Sequence, residues 1–280
     1  MSELLLALFI GLLFILYSIG VPAAYSLGLT VFFIMLLPIG PDLNLIVITQ
    51  RFWAGMTSWV LLAVPFFLLA GRIMNITGIT DDIFNFATEL VGPIRGGLAQ
   101  VNVVVSLIFS GMSGSAVADA AGIGSVEFEA MTSNGYDGKS AVGITGASSI
   151  IGPIIPTSIP IVIYAVLAQE SIGTLFIAGI VPGLLMALAM GITVYYLAQK
   201  HDWPREGSYD LSRLFETFVK AIPGLLAPAI IIGGILGGIF TATEAAIVAV
   251  VYAILLGFFY YRSIDLPKLY EVSKETFEDT

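Results

Sequence analysis

The chain has 280 residues, 58% of them hydrophobic and only 11% charged, with a mean hydropathy of +0.98. That composition points away from a soluble globular protein and predicts an all-α integral membrane protein with several spans. The net charge of −9 argues against nucleic-acid binding, and the lack of any cysteine removes disulfides and thiolate metal sites.

In chain order, the apolar run from Leu4 to Ile19 is just long enough to span, and with no basic residues before it no cleavable signal peptide is expected. Gly20-Val-Pro22 turns it into a second run, Ala23 to Leu37, followed by a short surface segment from Asp42 to Phe52. A third span is predicted from Thr57 to Met74, with Arg72 snorkelling near its end. Thr80 to Leu90 places Ile83, Phe86, Ala87 and Leu90 on one helical face and Asp81, Asp82, Asn85 and Glu89 on the other, the pattern of an amphipathic helix lying in the interface.

Ser110-Gly-Met-Ser-Gly-Ser-Ala-Val-Ala-Asp-Ala-Ala-Gly-Ile-Gly124 then interrupts the apolar pattern with small and hydroxyl-bearing residues. The preceding arm, 97–109, reaches only about 20 Å as a helix, short of a hydrocarbon core of about 30 Å. The stretch 97–131 therefore reads as a re-entrant helical hairpin with its tip near mid-membrane, where irregular backbone needs a protein or water-filled lining. The tip is either a binding site or a tight helix–helix contact, because small residues serve both. Residues 139–169 form a second unusual stretch, broken by Gly152-Pro-Ile-Ile-Pro-Thr-Ser-Ile-Pro160. Each proline removes a backbone donor and frees a carbonyl, which turns a helix at this depth into either a kink or an unwound ion site.

A long span follows from Ile172 to Leu197, then a polar loop holding His201. Asp210 to Lys220 reads as a further amphipathic helix, Ile222 to Phe240 and Ala245 to Tyr261 as two spans, and Asp265 as the start of a last amphipathic segment. Basic residues at Lys200, Arg205, Arg213, Lys220, Arg262, Lys268 and Lys274 put both ends of the last span pair on the cytoplasmic side. Arg95 and Lys139 then face the cytoplasm as well. Val21-Pro-Ala-Ala24 and Thr243-Glu-Ala-Ala246 lie at matching turns of oppositely oriented span pairs, a weak inverted repeat. The expected organisation is 1–92 as spans and arm helix of the first repeat, 93–170 as the part holding the hairpin and broken helix, 171–207 as a connecting span and loop, and 208–280 as the start of a second repeat. On repeat logic the second unit lacks roughly 140 residues of hairpin and broken helix.

The tip motif, Ile151-Gly-Pro-Ile-Ile-Pro-Thr-Ser-Ile and Gly238-Ile-Phe-Thr-Ala-Thr-Glu-Ala-Ala246, in this order, resemble the large membrane subunit of tripartite ATP-independent periplasmic (TRAP) transporters. The resemblance covers the whole chain. It implies an inverted-repeat, elevator-type secondary transporter of a bacterial or archaeal inner membrane. Such a protein imports an organic acid, dicarboxylate or sialic-acid-like, in symport with sodium. It implies two partners as well, a small membrane subunit and a periplasmic binding protein that delivers substrate.

With no lysine or arginine in tip or break, an anionic substrate would meet hydroxyls and helix N-termini, with Ser113, Ser115, Thr157 and Ser158 as candidates. Sodium is expected between the two elements, near Ser110, Ser113, Gly114, Gly152, Pro153 and Pro156. Asp119, an intramembrane carboxylate, could serve a cation site or a proton relay, but two turns from the tip it is read first as a structural hydrogen-bonding partner, and Glu244 as a stabiliser of its turn. Two other readings compete. Gly111-Met-Ser113-Gly114 matches the serine motif of intramembrane proteases, but the one histidine sits in a polar loop and supplies no base. A purely structural subunit is the third.

Overall fold

The computed structural model describes residues 2–37 and 46–280. They are helical, with no strand among the described residues. Four helical stretches are long and apolar enough to cross a membrane: Ile46–Ile76, Ile172–His201 (α11), Leu211–Leu236 and Ala242–Tyr260. Part of the predicted surface segment, 42–45, lies outside the described residues.

The chain divides into two compact units, 1–58 and 59–280. In the first, α1 (Ser2–Ser18) and α2 (Ala23–Leu36) pack on each other. Gly20 makes the turn between them at φ +85°, and Ser26 ties it by donating to the Val21 carbonyl at 3.1 Å. The rest of the predicted surface segment is helical, as α3 (Ile46–Met56).

The second unit holds the core. After a 3₁₀ turn at Trp59–Leu62 comes α4 (Ala63–Ile76), whose Pro65 sits in the first turn, where no intrahelical N–H is needed. α5 (Ile79–Val91) begins after Gly78, at φ +88°. Its amphipathic pattern is as expected, but its apolar face is spent on protein. Ile79, Ile83 and Ala87 are fully buried, against α6 (Gly97–Ser113) and α12 (Leu211–Leu236). Gly224 of α12 allows this approach, since a Cβ there would lie 2.7 Å from Ile79 Cγ2.

α12 differs from expectation: the predicted amphipathic helix and the span after it are one helix. Pro223 and Pro228 both lie inside it. Each proline removes one backbone bond, and the segment continues because packing against α5, α6 and α13 (Ala242–Leu255) fixes its axis. The Pro223 carbonyl accepts from the Tyr252 hydroxyl at 2.7 Å. Leu211 and Phe215 at its start remain exposed, while Phe218 meets Phe86 of α5 with ring centroids 5.5 Å apart.

Between α12 and α13, Thr241 and Glu244 form a reciprocal capping box, the turn-stabilising role expected of Glu244. A π-helical turn at Leu256–Tyr260 ends that span, and α14 (Leu266–Glu278) folds back on α4, burying Val272 and Thr276. Arg72, expected to snorkel at the interface, finds protein partners. It pairs with Asp279 and, at 3.8 Å, with Glu275, because α14 brings its acidic end over α4.

Candidate functional site

α6 carries Asn102, Ser106 and Ser110 at intervals of four residues, so all lie on one face, and all are buried. The helix ends at Gly114, which takes φ +61° as its N–H bonds to the Ser110 carbonyl at 3.3 Å. Ser115 then starts α7 (Ala116–Ala121) by accepting from the Ala118 N–H at 3.3 Å. At Gly122 the backbone leaves the helical region and α8 (Ile123–Ser133) returns along α6, bringing Met131 Sδ to 3.9 Å from Asn102 Nδ2. The return arm expected as one piece is thus broken at Gly122. α6, α7 and α8 form a helical hairpin with its tip at Ser113–Ser115.

The broken helix is also present. α9 (Gly138–Ser148) is capped by Asp137, which accepts from the Ser140 N–H at 3.0 Å. A 3₁₀ turn at Ser149–Ile151 and a non-helical turn follow, and α10 (Ile159–Ala168) resumes with Pro160 in its first turn. Ser158 holds that restart by accepting from the Ile161 N–H at 3.2 Å and donating to the Pro153 carbonyl at 2.6 Å. Thr157 stands at φ +82°, a strained position for a β-branched residue that costs about 1–3 kcal/mol. Its hydroxyl donates to the Ser110 carbonyl at 3.0 Å, which holds it there.

Tip and break interlock through backbone. The Ile159 N–H donates to the Gly114 carbonyl at 3.2 Å. A Cβ on Gly114 would run into the Thr157 carbonyl and lie 3.2 Å from Ser158 Cα, so only glycine permits this approach. α4 covers the tip from another side, where a Cβ on Gly71 would be 2.9 Å from Ser113 Cα.

Asp119 lies in the first turn of α7, closer to the tip than expected, because the turn ends at Ser115. It is 1% exposed. Its Oδ1 accepts from the Ser113 hydroxyl, while Oδ2 has no hydrogen-bond partner and faces Gly152, where a Cβ would sit 3.0 Å away. Asp119 thus joins Ser113 to Gly152, and the Gly114, Thr157 and Ile159 contacts join the same two elements. Pro156 is buried within the turn, and Ser115 is half-buried at the tip. The hydroxyl hydrogens of Thr157 and Ser158 are engaged within the protein, which leaves their oxygen lone pairs. A buried carboxylate oxygen beside a proline-freed turn is a hard-oxygen set suited to an alkali cation.

Sequence reasoning weighed a cation-site or relay role for Asp119 and preferred a structural hydrogen-bonding one; its bond from Ser113 fits the latter, and its place at the junction was not foreseen. The signal was its spacing from Ser113, with a turn between. It also passed over Asn102, Thr145 and Ser148, which form a buried chain: Asn102 Nδ2 donates to Thr145 Oγ1 at 2.8 Å and Ser148 Oγ to Asn102 Oδ1 at 2.6 Å.

Two interrupted helical elements thus meet at a buried carboxylate, among helices long enough to cross a membrane. Residues 10–280 match the family described as Tripartite ATP-independent periplasmic transporter, DctM component, and the chain belongs to that family. It is 43% identical over 97% of its length to the sialic acid TRAP transporter large permease protein of Vibrio cholerae, and covers 62% of that relative. It is 44% identical over 96% of its length to the sialic acid TRAP transporter permease protein of Haemophilus influenzae, covering 43% of it. The C4-dicarboxylate TRAP transporter large permease protein of Vibrio cholerae is 38% identical over 91% of the chain, which covers 57% of that protein. The chain therefore spans less than two thirds of each. These relatives are transporter permeases and not enzymes, so the protease reading of Gly111–Gly114 falls. His201 is engaged elsewhere, stacked on Trp203.

Proposed function

We propose that the chain belongs to the permease subunit of a sodium-driven secondary transporter that imports an organic acid. The observation that carries this is the unpartnered, buried Asp119 Oδ2 at the junction of tip and break. Asp119 and Ser113, with the backbone around Gly114, Gly152, Pro153 and Pro156 and the Ser110 side of α6, would hold the sodium ion. Bound there, the ion supplies positive charge to a region that has no basic side chain. Ser113, Ser115, Thr157 and Ser158, with the positive N-terminal end of α10, would orient a carboxylate against it. The relatives named for sialic acid and C4-dicarboxylates are all named for carboxylates, which supports the substrate class.

In this reading the hairpin is re-entrant, since a 17-residue α6 reaches only about 25 Å. It moves with the broken helix as an elevator against the scaffold helices in the inner membrane. A small membrane subunit braces the scaffold, and a periplasmic binding protein delivers substrate. The test reconstitutes the longest permease form its gene encodes in liposomes, with both partners. Uptake of a carboxylate substrate is expected only under an inward sodium gradient, and uptake that ignores sodium would overturn the coupling.

A further inference from the structure

The sodium reading uses one buried carboxylate, but the hairpin holds another. Glu127 of α8 is 1% exposed, and neither of its oxygens has a hydrogen-bond partner. A carboxylate stripped of water and left unbonded is strongly disfavoured, and even the neutral acid has a hydrogen to place. Other buried side-chain oxygens without a partner among the described residues, such as Thr30 Oγ1 and Tyr136 Oη, belong to uncharged groups with far less at stake.

The register of α8 shows what Glu127 faces. Gly124, Glu127 and Met131 lie on one face, three and four residues apart. On one side of Glu127, a Cβ on Gly124 would lie 2.6 Å from Thr145 Cγ2. On the other, Met131 Sδ is 3.9 Å from Asn102 Nδ2. Thr145 and Asn102 are themselves bonded, so the face of α8 that carries Glu127 lies against that pair. The amide hydrogens of Asn102 go to Thr145 and Met131, and the Ser148 hydroxyl hydrogen goes to Asn102 Oδ1 and the Thr145 carbonyl. Neither is available to Glu127.

The geometry points to a second monovalent-cation site inside the hairpin, with the Glu127 carboxylate supplying the charge and the Thr145 hydroxyl and Asn102 amide oxygens completing it from the facing helices. Hard oxygen donors select alkali or alkaline-earth ions, and a single carboxylate balances one positive charge and not two. The site is distinct from that at Asp119. The inference goes beyond the sodium reading and does not require it.

Equilibrium binding of radioactive sodium to the purified chain in detergent tests it, comparing wild type with Glu127→Gln, Glu127→Met and Asp119→Asn. Two ions per wild-type chain are expected, and one in either Glu127 variant. Two Glu127 variants are made so that one folded protein suffices. Heat denaturation without sodium gives a second readout: Glu127→Met should be more stable than wild type and should gain less on adding sodium. Wild-type stoichiometry in the Glu127 variants overturns the inference. So does a more stable Glu127→Met that binds as many ions as wild type, which would assign a proton to Glu127. Loss of one ion in Glu127→Gln but none in Asp119→Asn sustains this site and sinks the one at Asp119.

Discussion

Gly114 and Gly135 both sit at positive φ, +61° and +88°, but a Cβ on Gly135 would meet nothing within 4 Å, whereas on Gly114 it meets the Thr157 carbonyl. The pair separates backbone preference from close approach. Gly135→Ala should cost about 1 kcal/mol for the left-handed conformation. Gly114→Ala should cost that and a further ~1–3 kcal/mol for displacing the break from the tip. Heat denaturation in detergent should therefore rank Gly114→Ala well below Gly135→Ala, and equal midpoints would mean the interlock carries no energy. The Ser113 hydroxyl contributes differently, through its bond to Asp119. A hydrogen bond to a charged group is worth about 1.5–3 kcal/mol, so Ser113→Ala should raise the sodium concentration for half-maximal uptake by ~10–100-fold. An unchanged sodium requirement would remove Ser113 from the ion site.

At the scale of elements, caps decide where helices restart. Asp137 begins α9 on an exposed turn, and the hydroxyl and amide hydrogens of Ser140 hold its carboxyl below the usual carboxylate range. Because the folded value is the lower one, the stabilisation is complete above the unfolded carboxylate range and is lost as pH falls through the folded value. Amide exchange over the first turn of α9, normalised for intrinsic rates, should therefore accelerate at acid pH in wild type. Asp137→Asn, which keeps the acceptor without the titration, should show no such change; acid loosening of equal size in both would exclude the cap. α12 teaches a complementary point. The amphipathic segment to Lys220 and the span from Ile222 were expected as separate elements, yet one helix runs through both, and through Pro223 and Pro228, because neighbouring helices fix its axis.

For the whole molecule, the decisive question is how the hairpin meets the bilayer. The chain has no cysteine, so single cysteines report without background. Arg95→Cys and Lys139→Cys should both react with an impermeant maleimide from the cytoplasmic side. Ser115→Cys should resist a bulky reagent applied from the opposite side. Labelling of Arg95 and Lys139 from opposite faces would mean a single crossing, and ready labelling of Ser115 from the far face a complete double crossing. Either result ends the re-entrant reading.

The membrane character, the hairpin and the broken helix were all legible in the chain, because each depends on local chemistry: apolar run length, glycine and serine where backbones crowd, prolines where carbonyls are freed. Local chemistry cannot say which distant groups meet. That the Gly114 turn lies under the Thr157 carbonyl, that Asp119 turns one oxygen to Ser113 and leaves the other beside Gly152, and that Glu127 is buried with no hydrogen-bond partner follow from how the hairpin and the broken helix pack. So does the pairing of Arg72 with α14, which its sequence neighbours gave no reason to expect. Hydropathy and breakers set which segments enter the membrane and where they stop. The partners of a buried charge are set by packing between segments far apart in sequence, and only the tertiary structure decided them.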